Sequence, residues 1–102
     1  MVFTGIEQVA AAEWSAWIAE TGGTLIDVRE PHEWRLGTLP GAALISLADL
    51  PSAIGGLDPG TPLLIVCRSG NRSQVAASFL TRSGFRRVAN LAGGMKALGF
   101  TA

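Results

Sequence analysis

Short apolar runs alternate along this chain with segments of helical periodicity. Aliphatic and partly β-branched residues make up Leu63–Val66 and, apart from Asp27, residues 25–28, a pattern typical of strands that are buried on both faces. Val88–Leu91 predicts a third strand, and residues 6–9 and 42–45 predict two shorter ones. Five short strands are therefore expected.

Helical spacing appears between these strands. Trp14, Trp17 and Ile18 lie at i, i+3 and i+4, which predicts a helix over residues 10–20 with its tryptophans in the core. A second helix is predicted over residues 74–83. Its buried face is expected to contain these apolar residues: Val75, Ala76, Phe79 and Leu80.

Shorter helical segments are predicted at residues 31–36, from a cap at Ser46 to residue 54, and from Met95 onward. Strands and helices thus alternate. This order favours an α/β fold with a five-stranded, mainly parallel sheet and helices on both of its faces.

Composition narrows the class of protein. The 102 residues are 48% hydrophobic and 16% charged, which indicates one compact globular domain over residues 1–102. The net charge is zero and no basic run occurs, so a nucleic-acid partner is not expected. No segment resembles a secretion signal or a membrane span, and the single cysteine can form no internal disulfide. We expect a cytoplasmic protein without a membrane partner; the oligomeric state stays open.

The chemistry concentrates in the seven residues that follow the strand Leu63–Val66. Cys67 lies where this strand gives way to a helix, and open α/β sheets bind ligands at that edge. Gly70 permits backbone N–H groups to converge on an anion, and Arg68 and Arg72 add positive charge. The pattern predicts a nucleophilic thiolate at the bottom of an anion-binding cup that has an opening to solvent. An inert core cysteine is the alternative, and the two arginines disfavour it.

The stretch Cys-Arg-Ser-Gly-Asn-Arg-Ser at 67–73 resembles the active-site loop of rhodanese-type sulfurtransferases, the thiosulfate sulfurtransferase family. Three further segments resemble that family in the same order: Leu-Ile-Asp-Val-Arg-Glu-Pro at 25–31, Leu-Pro-Gly-Ala at 39–42 and Asn-Leu-Ala-Gly-Gly-Met at 90–95. The likeness covers nearly the whole chain. It implies a single rhodanese-like domain without a cofactor or metal.

The resemblance also implies a reaction. Cys67 would take the outer sulfur of a small anion such as thiosulfate as a persulfide, and a thiol or cyanide would then accept it. Arg68 would orient the donor, and Arg72 would fix the loop. The other loop residues would supply N–H groups, small side chains and backbone geometry: Ser69, Gly70, Asn71 and Ser73.

Asp27 interrupts an apolar strand, and a buried carboxylate is costly unless it is paired. We expect Arg72, Arg29 or backbone N–H groups as its partner, so that Asp27 supports the active loop. Capping the turn at Glu30 is the alternative. Glu33 is expected to be solvated, and His32, the only histidine, is expected to be exposed and without a role.

The chain departs from the resembling family at two places. Thr38 stands where the family commonly has histidine, and Ala97 and Leu98 occupy a region where an aromatic residue is usual. Phe100 is the expected substitute for that ring.

Two other functions stay open. One is a non-enzymatic or persulfide-carrying module of a sulfur relay. The other is a phosphatase or arsenate reductase, whose related loop has five residues between cysteine and arginine. Only four residues separate Cys67 from Arg72, which predicts a smaller anion site.

Overall fold

The computed structural model describes residues 6–102. Five strands form one sheet in the order β1-β5-β4-β2-β3, and every neighbouring pair is parallel. The strands are β1 (Glu7–Val9), β2 (Thr24–Asp27), β3 (Ala43–Leu44), β4 (Leu63–Val66) and β5 (Val88–Leu91). The helices are α1 (Trp14–Thr21), α2 (Pro31–Trp34), α3 (Leu50–Ala53), α4 (Asn71–Arg82) and α5 (Gly94–Ala97), with 3-10 turns at Ala11–Glu13 and Ile54–Gly56.

Strand β4 is the centre of the sheet. It pairs with β2 on one side and with β5 on the other, and its four residues are fully buried. The register sets Ile65 opposite both Ile26 and Asn90. Because all strands run the same way, the carboxyl ends of β2, β4 and β5 meet at one edge, directly before Cys67.

Helices cover both faces of this sheet, as the sequence predicted. On one face, Leu50 of α3 and Leu80 of α4 pack in a cluster with Phe85. On the other, Trp17 of α1 packs in a cluster with Met95 of α5. Burial of each of these side chains contributes about 1.5–3 kcal/mol. The core interpretation of Trp17 is confirmed.

Helix α4 differs from its prediction in two ways. It begins at Asn71, three residues earlier than expected, because Gly70 adopts φ +102° and turns the loop into the helix. Val75 is 58% exposed, so its place on the buried face was wrong. The buried positions are Ser73, Ala76, Ala77 and Leu80. Small residues allow this helix to approach the sheet closely, which hydrophobicity alone did not indicate.

The predicted helix from Ser46 is shorter than expected. Asp49 precedes α3, and Ser46 lies in the turn before it, where its Oγ accepts a hydrogen bond from the Asp49 N–H at 3.4 Å. Pro51 stands in the first turn of α3, where its missing N–H costs nothing. Among the helices of residues 6–102, none has both the length and the apolar character needed to span a membrane.

Candidate active site

Cys67 lies between the end of β4 and the start of α4, as expected. Its Sγ accepts a hydrogen bond from the Gly70 N–H at 3.1 Å, and Ser73 Oγ lies 3.3 Å from the same sulfur. Gly70 can present its N–H in this way because its positive φ folds the loop back over the sulfur. The loop and the first turn of α4 thus surround Sγ with hydrogen-bond donors.

These contacts set the acidity of the thiol. Burial by itself would raise the pKa of Cys67, but hydrogen bonds from the Ser73 side chain and from the backbone N–H groups of Ser73, Gly70 and Ser69 outweigh it and lower the pKa below its ordinary value. The prediction of an acidified thiol agrees with this environment. The backbone N–H groups act as expected, and the Ser73 side chain is a further cause that the sequence did not indicate.

The sulfur is more enclosed than predicted. Cys67 is 1% exposed, so it lies deep in the site, and the expected opening to solvent is almost closed in this structure. The loop residues divide by position: Arg68, Ser69 and Asn71 are exposed, whereas Gly70 and Ser73 are buried against the sheet. A reactant therefore meets the exposed loop residues before it reaches the sulfur.

Arg72 binds Glu33 rather than Asp27. Its Nη1 and Nη2 donate to Oε1 and Oε2 of Glu33 at 2.6 and 2.8 Å, a bidentate pair that joins α4 to α2. The hydrogen bond from Arg72 is the main cause that lowers the pKa of Glu33 to about 2. Glu33 is 7% exposed, so the prediction of a solvated carboxylate was wrong. Spacing along the chain cannot show this pair, since its members lie 39 positions apart.

Asp27 has two of the three partners considered, the Arg29 guanidinium and a backbone N–H group, which is that of Arg29 at 3.0 Å. Both side chains are fully buried, and Arg29 Nη2 lies 2.8 Å from Asp27 Oδ2. The same guanidinium donates to the backbone oxygens of Gly37 at 2.7 Å and Ala102 at 2.6 Å. Asp27 thus fixes the cation that holds these two segments together. The possible contact of Asp27 with Arg72 is not formed. That Asp27 supports the active loop remains a prediction.

Helix α5 holds the main chain of the active loop, a contact that the sequence did not reveal. The Met95 N–H donates to the Cys67 oxygen at 2.8 Å, and the Lys96 N–H donates to the Arg68 oxygen at 2.9 Å. Gly94 has φ +61°, and a Cβ at this position would collide with Cys67 O and the Arg68 carbonyl group. Gly94, the second residue of the Gly-Gly pair noted in the sequence, therefore allows α5 to lie directly against the main chain of the loop.

A buried amide lies behind Ser73. The Ser73 hydroxyl, 0% exposed, donates to Oδ1 of Asn90, which is 4% exposed on β5. Asn90 Nδ2 donates in turn to Oε1 of Gln8 and Oε1 of Gln74, each at 3.0 Å. Sequence reasoning missed this network. The only signal was an asparagine inside an apolar strand.

Phe100 lies beside Gly37 and packs in the same apolar cluster as Met95 and Leu98. Its action as a substitute for the family's aromatic residue stays a prediction. His32 is exposed, as expected. Within residues 6–102, no group of three or more histidine, cysteine, aspartate or glutamate side chains is arranged to hold a metal ion.

The profile of the Rhodanese-like domain matches residues 10–99. The chain belongs to this family. It is 34% identical over 89 residues to the thiosulfate sulfurtransferase GlpE of Pseudomonas paraeruginosa, an alignment that covers 87% of this chain and 81% of that protein. It is 41% identical over 73 residues to the putative sulfurtransferase YtwF of Bacillus subtilis, covering 72% and 70% of the two chains.

Solved structures of rhodanese-like proteins have the same fold. A human single-domain sulfurtransferase, TSTD1, superposes with a TM-score of 0.79 at 26% identity, over 92% of this chain and 96% of that one. The predicted fold class and the family resemblance are both confirmed.

Proposed function

We propose that this rhodanese-like protein transfers sulfane sulfur from a small anionic donor to a thiophilic acceptor through a persulfide on Cys67. The observation that carries the proposal is the surroundings of the sulfur: the Gly70 N–H at 3.1 Å and the Ser73 hydroxyl at 3.3 Å stabilise a thiolate. The names of the relatives support the same activity, since GlpE is a thiosulfate sulfurtransferase.

In the first half-reaction, the Cys67 thiolate attacks the outer sulfur of thiosulfate. A new S–S bond forms, the donor's S–S bond breaks, and its electron pair leaves with sulfite. The negative charge of the persulfide then lies on the outer sulfur. Backbone N–H groups of residues 68–73 are the donors that would hold this charge.

In the second half-reaction, an acceptor attacks the outer sulfur and the electron pair of the broken S–S bond returns to Cys67. Cyanide is a test acceptor, and a thiol is the acceptor that we propose for the cell. No proton transfer is required in either step when thiosulfate and cyanide are the reactants. A side chain that keeps Sγ anionic therefore assists both steps.

The enclosure of the sulfur sets a condition on this chemistry. Because Cys67 is 1% exposed, the loop or the side chains around it must move for the outer sulfur of a donor to reach Sγ. Arg68 is exposed and takes part in none of the salt bridges found in residues 6–102. We assign it the first electrostatic contact with the anionic donor, whereas Arg72 is neutralised by Glu33.

Mass spectrometry after incubation with thiosulfate tests the proposal. Wild type is expected to gain one sulfur on Cys67 that cyanide or dithiothreitol removes, and Cys67→Ala is expected to gain none. Ser83→Ala, at an exposed position beyond α4, is a control that keeps the adduct. Absence of the adduct across a panel of sulfane-sulfur donors would contradict the proposal. A Cys67 adduct that forms with negligible turnover would instead favour the alternative function, a persulfide-carrying module of a sulfur relay.

A further inference from the structure

We propose that Asn90 and Cys67 compete for the single hydroxyl proton of Ser73, and that this proton changes partner during the sulfur-transfer cycle. Ser73 lies between the two groups, 3.3 Å from Cys67 Sγ and hydrogen-bonded to Asn90 Oδ1. A serine hydroxyl has one proton to donate. The link to the catalytic cycle rests on the proposed function, but the competition itself does not.

The orientation of Asn90 defines which of its atoms meets Ser73. Its Nδ2 donates to Gln8 Oε1 and Gln74 Oε1 at 3.0 Å and lies at the longer distance of 3.5 Å from the Gly70 oxygen, so Oδ1 is the atom that faces the hydroxyl. An amide oxygen only accepts, and the proton between these residues therefore comes from Ser73. Because Ser73 and Asn90 are buried, water does not replace a bond that either of them loses.

The charge on Cys67 decides where the proton points. A neutral thiol can donate to Ser73 Oγ while Ser73 donates to Asn90, so that all three groups are paired. A thiolate only accepts, and the Ser73 hydroxyl must turn from Asn90 to donate to it. The thiolate thus gains a charge-assisted bond, while a buried amide oxygen loses its partner.

The persulfide reverses this choice. Its charge lies on the outer sulfur, so Sγ is neutral and the Ser73 proton returns to Asn90. When the acceptor attacks the outer sulfur, the S–S bond breaks, its electron pair moves to Sγ, and the hydroxyl turns back to the departing thiolate. Only the hydroxyl rotates and no proton leaves oxygen. Ser73 is thus a donor to the reacting sulfur, and Asn90 is a positioning residue that acts through Ser73.

Titration of the thiol, followed by the ultraviolet absorbance of the thiolate, tests this inference without any sulfur donor. Ser73→Ala removes the donor and is expected to raise the midpoint by about one pH unit. Asn90→Ala removes the competing acceptor and is expected to lower the midpoint by a similar amount. The double variant is expected to titrate as Ser73→Ala does, because Asn90 acts only through the hydroxyl.

Charged groups near the site are unchanged in these variants. The ionisable side chains on the elements around Cys67 are Arg68 in the loop, Arg72 and Arg82 of α4, His32 and Glu33 of α2 with Glu30 before it, Asp27 of β2 with Arg29 after it, and Lys96 of α5. Strand β5 contributes none. Gln8→Ala is the matched control, since it removes a contact of the same Asn90 amide without touching Oδ1, and its midpoint is expected to equal that of wild type.

A higher midpoint in Asn90→Ala, or additive shifts in the double variant, would overturn the inference, since a merely structural asparagine would give either result. Thermal unfolding establishes that each variant is folded. Should Asn90→Ala not fold, Asn90→Leu is the replacement: it removes the acceptor, adds no charge and fills a similar volume, so its midpoint is expected to fall. A higher midpoint in that variant would refute the competition.

Sulfur discharge from preloaded persulfide to cyanide tests the link to catalysis. Ser73→Ala is expected to discharge roughly tenfold more slowly than wild type, and Asn90→Ala at least as fast as wild type. Equal rates in wild type and Ser73→Ala would refute a role in the cycle. If wild type never gains sulfur while the thiol midpoints still shift in opposite directions, the proposed function fails and the proton competition stands.

Discussion

Arg72 of α4 and Glu33 of α2 form a bidentate ion pair across the side of the active loop, with N–O distances of 2.6 and 2.8 Å. Glu33 also accepts a hydrogen bond from the Glu30 N–H at 2.9 Å, within the capping box that begins α2. One carboxylate therefore fixes both the start of a helix and the arginine of the loop. This pair neutralises one of the two positive charges that the sequence places in the anion-binding loop.

Glu33→Gln is expected to remove a pH-dependent part of the stability. The folded pKa of Glu33 is lowered from 4.5 to about 2, so its contribution is fully present above pH 4.5 and is lost as the pH falls toward 2. We expect a loss on the order of 2 kcal/mol at neutral pH, discounted because the Arg72 side chain is 34% exposed. Urea unfolding at several pH values is the measurement. An equally steep acid loss in wild type and Glu33→Gln would contradict the assignment.

Gly94→Ala is expected to displace the active loop. Both Gly94 and Gly22 have positive φ, +61° and +68°, so alanine at either position carries a backbone cost of about 1–2 kcal/mol. Only at Gly94 does the new Cβ also meet Cys67 O and Arg68, whereas nothing lies within 4 Å at Gly22. We therefore expect Gly94→Ala to lose sulfur transfer and Gly22→Ala to keep it. The measurement is the steady-state rate of each variant, taken well below both melting temperatures. Equal activity of the two variants would refute a role of α5 in holding the active loop in place.

Arg68→Ala is expected to weaken donor binding without loss of stability. The side chain is exposed, and a charge-assisted contact to an anion corresponds to roughly a tenfold rise in KM for thiosulfate. Arg86→Ala, at another exposed arginine, is the control and is expected to keep the wild-type KM. A fall in kcat with an unchanged KM would instead place Arg68 in the chemical step.

Asp27→Asn is expected to destabilise the fold by about 3–5 kcal/mol, because it leaves the buried Arg29 cation without its counter-charge. Glu7→Gln breaks the exposed Glu7–Arg87 pair and is expected to cost less than about 1 kcal/mol. Thermal and urea unfolding compare the two variants. Similar losses in both would show that burial of the Asp27–Arg29 pair does not determine its strength.

The positions of the strands along the chain and the place of Cys67 were predictable because they depend on local patterns. Leu63–Val66 is a strand in the structure as predicted, and the change from an apolar run to a glycine-containing loop shows where it ends. The exposed Val75 and the buried Ala77 show the limit of such reasoning. Hydrophobicity predicts the buried face of a helix only when the buried residues are also the large apolar ones. On α4, close packing against the sheet places small residues on the buried face instead.

The contacts of the site were less predictable because they join distant parts of the chain. Glu33 and Arg72 are 39 residues apart, and Ser73 and Asn90 are 17 apart. A polar residue in an apolar strand indicates that a partner exists, as it did for Asp27, but not which one. The choice between Arg29 and Arg72 depended on where two helices and a turn come together in space.

The enclosure of the Cys67 sulfur bears on how fast the thiol is expected to react with oxidants of different size. Oxidised glutathione is far larger than thiosulfate and would have to push the whole loop aside to reach a residue that is 1% exposed. The chain contains no second cysteine that could trap a sulfenic acid as an internal disulfide. We therefore expect the only thiol of the chain to react faster with small reagents than with bulky disulfides.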